Sequence, residues 1–260
     1  MRDRLKDAGY WKEAIAANET MAGYLEKSLN QKQAAGDPKA AISANSLLMA
    51  RFQRCLIDYS VGAPIDEISG KARALLCDWY HDYMKANPPG TPLAVERPSY
   101  DRINRFFSIL VLSGTPRDEA ARFVEVYDMW DYQGPPVPGH RDRFCEAMAS
   151  YLFPDRAGRE ATGVNWPEAY GDLWTALAPD TAKADRARHL NDFLEKWYDV
   201  MSSQMAAQTG TDKQKNPNYV GYWCLEAAAA SVMAGIDDSG FHDHRFYPAD
   251  FADWARARKD

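Results

Sequence analysis

The 260-residue sequence is poor in cysteine: only Cys55, Cys77, Cys145 and Cys224 occur, with no C-x-x-C pair, each in an apolar helix-like run. That spacing argues against a zinc or redox motif and reads as four small buried thiols. No stretch approaches the ~18 apolar residues that cross a bilayer, and the start, Met1-Arg-Asp-Arg-Leu-Lys-Asp7, is too polar for a secretory leader. The expectation is a cytoplasmic protein with no membrane partner, in which the sequon at Asn18 carries no weight. Also missing are alternating β-branched runs with hairpin turns, fixed-period repeats, heptads, and basic clusters interleaved with aromatics. H-E-x-x-H, G-x-S-x-G, Walker A, Rossmann and EF-hand patterns are absent as well. His140-Arg-Asp142 has the form of a kinase catalytic loop, but Ala147 stands where the metal-binding Asn belongs, and there is no D-F-G. No catalytic residue, cofactor or metal is assigned.

What is present is material for a large core, with 46% apolar and 12% aromatic residues, and a solvated surface with 26% charged residues. Net charge is −6; residues 1–130 hold 17 basic and 17 acidic groups, residues 131–260 hold 14 and 20, so the whole excess lies in the second half. Such a surface repels nucleic acid and steers in a cationic partner.

Apolar residues recur at helical spacing almost throughout, which predicts an all-α, multi-helix bundle. A first helix is expected over about 2–35 and a second, capped by Asp37 and Pro38, toward Tyr59. Ser60-Val-Gly-Ala-Pro64 breaks the chain, and Ile65, Ile68, Ala72, Leu75, Leu76, Trp79 and Tyr83 mark the inner face of a third helix. Ile103, Phe106, Phe107, Leu110 and Val111 form the next stripe. Thr115, Pro116 and Asp118-Glu119 open the helix that follows, which runs to about Trp130. Further helices are predicted at about 141–152, 167–177, 181–206, 218–234 and 248–258, with a capping-box spacing at Asn165-Trp-Pro-Glu168 and Gly235 as a C-cap. Gln133-Gly-Pro-Pro-Val-Pro-Gly139 and the Ser113–Pro116 turn are the two candidate boundaries; the division adopted is an N-terminal helical part, 1–120, packed on a C-terminal one, 121–260.

Two segments have the make-up of a protein interface. Glu125-Val-Tyr-Asp128-Met-Trp130-Asp131-Tyr132 mixes acids with aromatic anchors, although Phe123, Tyr127 and Trp130 also fit one core face. Asp185 through Asp192, with Glu195 and Asp199, place carboxylates along one side of a long helix, as an ordinary solvated acidic face also would. Glu226 interrupts an apolar and alanine-rich run, where it either faces water or needs a buried donor. Asp237, Asp238, His242 and His244 lie within eight residues; with Glu226 they define the rival reading of a metal-dependent enzyme, while turn and cap chemistry explains them equally. A helical adaptor or scaffold is the second rival.

Tyr219-Val-Gly-Tyr222-Trp223-Cys-Leu-Glu226-Ala-Ala-Ala-Ala230, then Gly235-Ile-Asp237-Asp238-Ser239, Asp243-His244 and Tyr247-Pro248-Ala-Asp250-Phe251 resemble the C-terminal signature of the PoNi immunity proteins. The likeness extends upstream through Met1-Arg-Asp-Arg-Leu-Lys-Asp7 with Tyr10, Arg51, Tyr59-Ser-Val-Gly62, Ile65-Asp-Glu-Ile68, Tyr100-Asp-Arg-Ile103 and Phe123-Val-Glu-Val-Tyr-Asp128. Cys224-Leu225 and Ala249 depart from the family pattern at packing positions. The resemblance implies a two-part helical immunity protein that binds and blocks a PoNe-type DNase toxin, often encoded beside a type VI secretion effector; the expectation for the chain itself is a monomer or a small homo-oligomer.

Overall fold

In the computed structural model, which describes residues 1–87, 97–129, 141–156, 161–202, 211–213 and 218–258, helix α1 (Ala8–Ala34) starts after Asp7, whose side chain accepts the Tyr10 N–H. The residues before it, expected to be helical, serve tertiary contacts instead. The Arg2 guanidinium donates to the carbonyls of Tyr59 (3.1 Å) and Ala63 (2.8 Å), and Asp3 accepts from the Leu5 N–H and the Tyr219 hydroxyl. Asp37 closes a local turn onto the Lys39 N–H, so α2 (Ala40–Val61) opens at Lys39 without a side-chain cap. Asn18 with Ala50, Glu26 with Arg51 and Lys32 with Ser43 pair the helices antiparallel; Trp11, Ala14 and Leu29 of α1 and Leu47, Phe52 and Leu56 of α2 are buried. Gly62 ends α2 at φ 93°; a β-carbon there would lie 3.0 Å from the Met1 nitrogen, so the close approach of the N-terminus needs glycine.

Next come α3 (Ile65–Arg73), a π-helical turn (Ala74–Trp79) and α4 (Tyr80–Ala86). The π turn inserts one residue into the helical spacing, and the buried face moves with it. Ile65, Ile68, Ala72, Leu75 and Leu76 are buried as their spacing predicts, but Tyr80 and Met84 take the inward positions expected of Trp79 and Tyr83, which are half-buried.

Contacts divide the chain into two units, Met1–Leu75 with Ala207–Tyr222, and Leu76–Ala206 with Trp223–Asp260. The sequence-based boundary at 120/121 falls inside a helix of the second unit, and the 133–139 connection lies outside the described residues. The first unit is completed by a late segment. The Tyr219 N–H donates to the Tyr10 hydroxyl (2.7 Å), which donates back to the Tyr219 carbonyl (3.0 Å), and the Ser60 hydroxyl donates to Val220 O (2.8 Å). These bonds hold the backbone out of a helix, so the segment expected as helix 218–234 becomes helical only from Leu225.

The second unit holds α5 (Arg97–Leu112), α6 (Arg117–Met129), α7 (Arg143–Leu152), α8 (Pro167–Leu177), α9 (Lys183–Ser202), α10 (Leu225–Ala234) and α11 (Ala249–Ala257). α5 runs through its centre, touching α7, α10 and α11. Phe107 sits edge-on to Phe123 and Tyr127 at 5.0 Å each, and the fully buried alanines 227–230 let α10 lie close on α5. The Thr115 hydroxyl donates to Leu110 O (2.7 Å), closing α5. Gly235 ends α10 in the left-handed conformation, as predicted. β1 (Arg141–Asp142) and β2 (Ala161–Gly163) form a two-strand parallel ladder, the one sheet among the described residues. The capping box at Asn165 does not form: Asp142 Oδ2 accepts the Asn165 N–H (2.6 Å) and draws that residue inward, leaving Trp166, at φ 50°, as the α8 N-cap. No described helix is long and apolar enough to cross a membrane.

Candidate functional site

Glu226 faces inward, fully buried in the first turn of α10. Neither carboxylate oxygen has a hydrogen-bond partner of normal geometry, and burial pushes the pKa up to about 7 against the opposing pull of Arg105 on α5. Around it α5 supplies Asp101, Asn104, Arg105 and Ser108, all buried. The Tyr170 hydroxyl donates to Asp101 (2.7 Å), the Cys145 thiol to Asn104 Oδ1 (3.0 Å), and Arg105 to Trp223 O (3.4 Å). A carboxyl with a near-neutral pKa has the protonation chemistry of a general base, but such a base must reach a substrate proton, and this one is sealed. Its geometry is that of a polar seam tying α5, α7, α8 and α10 together.

The other signature residues build a second cluster. Asp238, nearly buried, accepts from the Tyr247 hydroxyl and the Arg256 guanidinium, both at 2.7 Å, and the Tyr247 oxygen also lies 3.1 Å from the Ser231 hydroxyl. Burial raises the Tyr247 pKa. Pro248 is the N-cap of α11, Asp250 stands exposed in its first turn, and exposed Asp237 accepts the Ser239 N–H (3.0 Å). In the first unit, Tyr222 is buried and donates to Asp212 (2.7 Å); Trp223 is buried in the second. His242 pairs with Asp253 (3.0 Å), which raises its pKa, while His244 lies 4.0 Å from Glu195 and burial lowers its pKa. The five residues of the metal-enzyme reading are thus committed to separate partners or sealed, and no group of three potential ligands converges among the described residues.

The two acidic segments differ in what their charges already hold. Glu125, exposed on α6, accepts from Lys85 (2.5 Å) and His81 Nε2 (2.9 Å), which together hold its carboxyl below the usual range. Arg122 bridges Asp78 (3.0 Å) and Asp82 (2.8 Å) beside it. Asp128 is half-buried and receives Arg141 (3.0 Å) and Arg156; both guanidiniums also reach buried Glu146 and stack over the Tyr127 ring at 5.3 and 5.6 Å. That square of two acids and two cations makes Asp128 a cross-link within the unit. On α9, Asp192, Glu195 and Asp199 stand exposed along one edge opposite the buried Leu190, Phe193, Leu194 and Trp197, with Arg188 3.3 Å from Asp192. Trp130, Asp131 and Tyr132 lie outside the described residues.

Asp142 was missed by motif reading. It caps α7 by accepting the Cys145 N–H (2.9 Å) and binds Asn165, and its burial raises its pKa despite those donors. An Asp three residues before Cys145, at the head of the apolar Phe144-Cys145 run, carries that signal; the resemblance to a kinase loop masked it.

Residues 141–251 match the family model described as PoNe immunity proteins (PoNi), C-terminal. The fold is similar to that in the crystal structure of protein PA2201 from Pseudomonas aeruginosa: TM-score 0.70 and 20% identity, over 100% of this chain and 92% of that one. A comparison with curated proteins finds no match.

Proposed function

We propose, from the match of residues 141–251 to the model of PoNe immunity proteins (PoNi), C-terminal, that this chain is an immunity protein that binds a PoNe-type nuclease toxin and neutralises it by direct contact. That domain match is the observation on which the reading stands. The physical properties of the chain support it. The acidic excess of the second half faces a class of enzyme whose substrate groove is cationic by necessity, because it grips phosphates. The exposed edge of α9 offers Asp192, Glu195 and Asp199 on a helix fixed by four buried apolar residues, so little entropy is lost on docking. We place the toxin contact there and on the Glu125 edge of α6, the toxin being a DNase held in the cytoplasm and delivered by type VI or related secretion.

Co-expression with the adjacent open reading frame tests the reading. Rescue from that gene's toxicity together with co-purification of the two proteins is expected; a harmless neighbour, or toxicity that this chain leaves untouched, overturns it.

A further inference from the structure

The outer face of α1 points to a second copy of this chain. On α1, Trp11, Ala14 and Leu29 are buried and Asn18 bonds Ala50 of α2, and on the opposite side Glu13, Ala16, Thr20, Gly23 and Lys27 follow one another at spacings of three and four, all exposed. Beside them stand two large apolar side chains, Met21 at 54% and Tyr24 at 68% exposure. A β-carbon built on Gly23 meets nothing within 4 Å, so no contact of its own fold asks for glycine there, although a mid-helix glycine costs about 0.5–1 kcal/mol relative to alanine. Glu13 and Lys27 have no ion-pair partner among the described residues, whereas Glu19 and Glu26 on the flank are taken by Arg54 and Arg51.

We propose that two copies dimerise by antiparallel packing of α1 on α1 about a twofold axis at Thr20. In that register Glu13 of each copy lies against Lys27 of the other, Tyr24 falls on Ala16, and Gly23 meets Ala17, so large meets small and acid meets base on both sides of the axis. A parallel pairing would set Glu13 on Glu13 and Lys27 on Lys27. The charged ends are 14 residues apart in sequence, about 21 Å of helix. The contact is therefore short, and the dimer forms and dissociates with concentration.

Sedimentation velocity of the full chain over a concentration series tests this. Expected are a concentration-dependent dimer, its loss in Gly23→Leu with the thermal melt retained, weakening by about tenfold or more in Lys27→Glu, and recovery in the Glu13→Lys, Lys27→Glu double variant. A monomer at every concentration overturns the proposal. So does a dimer indifferent to both single variants. A monomeric chain whose affinity for the toxin falls in Tyr24→Ser overturns it too, by giving this face to the toxin.

Discussion

Burial in the folded chain favours the protonated form of the Glu226 carboxyl. Its pKa rises from 4.5 to about 7, so the folded chain holds this proton more tightly than the unfolded chain does. The resulting stabilisation is complete below pH 4.5 and is lost as pH climbs through that interval to about 7. Glu226→Gln keeps the shape and removes the titration. At about pH 8 it should be the more stable chain, by up to roughly 3 kcal/mol at about 1.4 kcal/mol per tenfold in protonation, and near pH 4 the two should converge. Urea unfolding at both pH values decides this, and parallel curves would show that the carboxyl finds a donor the geometry lacks. Tyr247→Phe removes one donor from Asp238 and leaves Arg256, and should cost about 1–2 kcal/mol in the same assay. The oddity of Glu226 was legible in sequence because it breaks an alanine run; its counter-charge, Arg105, was not, because 121 residues separate them.

Among the helices, the stripe of α5 and the Gly235 cap of α10 followed from periodicity and glycine, since both are local properties, whereas the Asp37 cap expected for α2 does not form. The π turn at Ala74–Trp79 was not legible: its one-residue shift is visible only where Tyr80 and Met84, not Trp79 and Tyr83, meet the core. Deleting exposed Asp78 should restore an ordinary α-helix with the same inward face, at little cost beyond the ion pair to Arg122. A comparable deletion within α5 would swing Phe106 and Phe107 out of register and should abolish cooperative thermal unfolding. The two acidic segments separate in the same way. Neutralising Asp192, Glu195 and Asp199 together should slow toxin association and flatten its dependence on salt while leaving the melting temperature in place, whereas Asp128→Asn should lower stability by roughly 1–3 kcal/mol, because it strips a partner from Arg141 and Arg156. Stopped-flow kinetics beside calorimetry on each variant checks both halves of this contrast.

For the molecule entire, apolar periodicity announced a helical fold, and the described residues are mostly helical. What composition left hidden is that the first unit borrows a segment from far along the chain, because Tyr10, Ser60 and Asp3 bind partners beyond position 218. That borrowing has a consequence for biosynthesis. A nascent polypeptide leaving the ribosome carries α1 and α2 long before the residue that closes them, because 209 positions separate Tyr10 from Tyr219. A chain cut short before Tyr219 lacks every one of these bonds, and its first two helices are left without the segment that closes them.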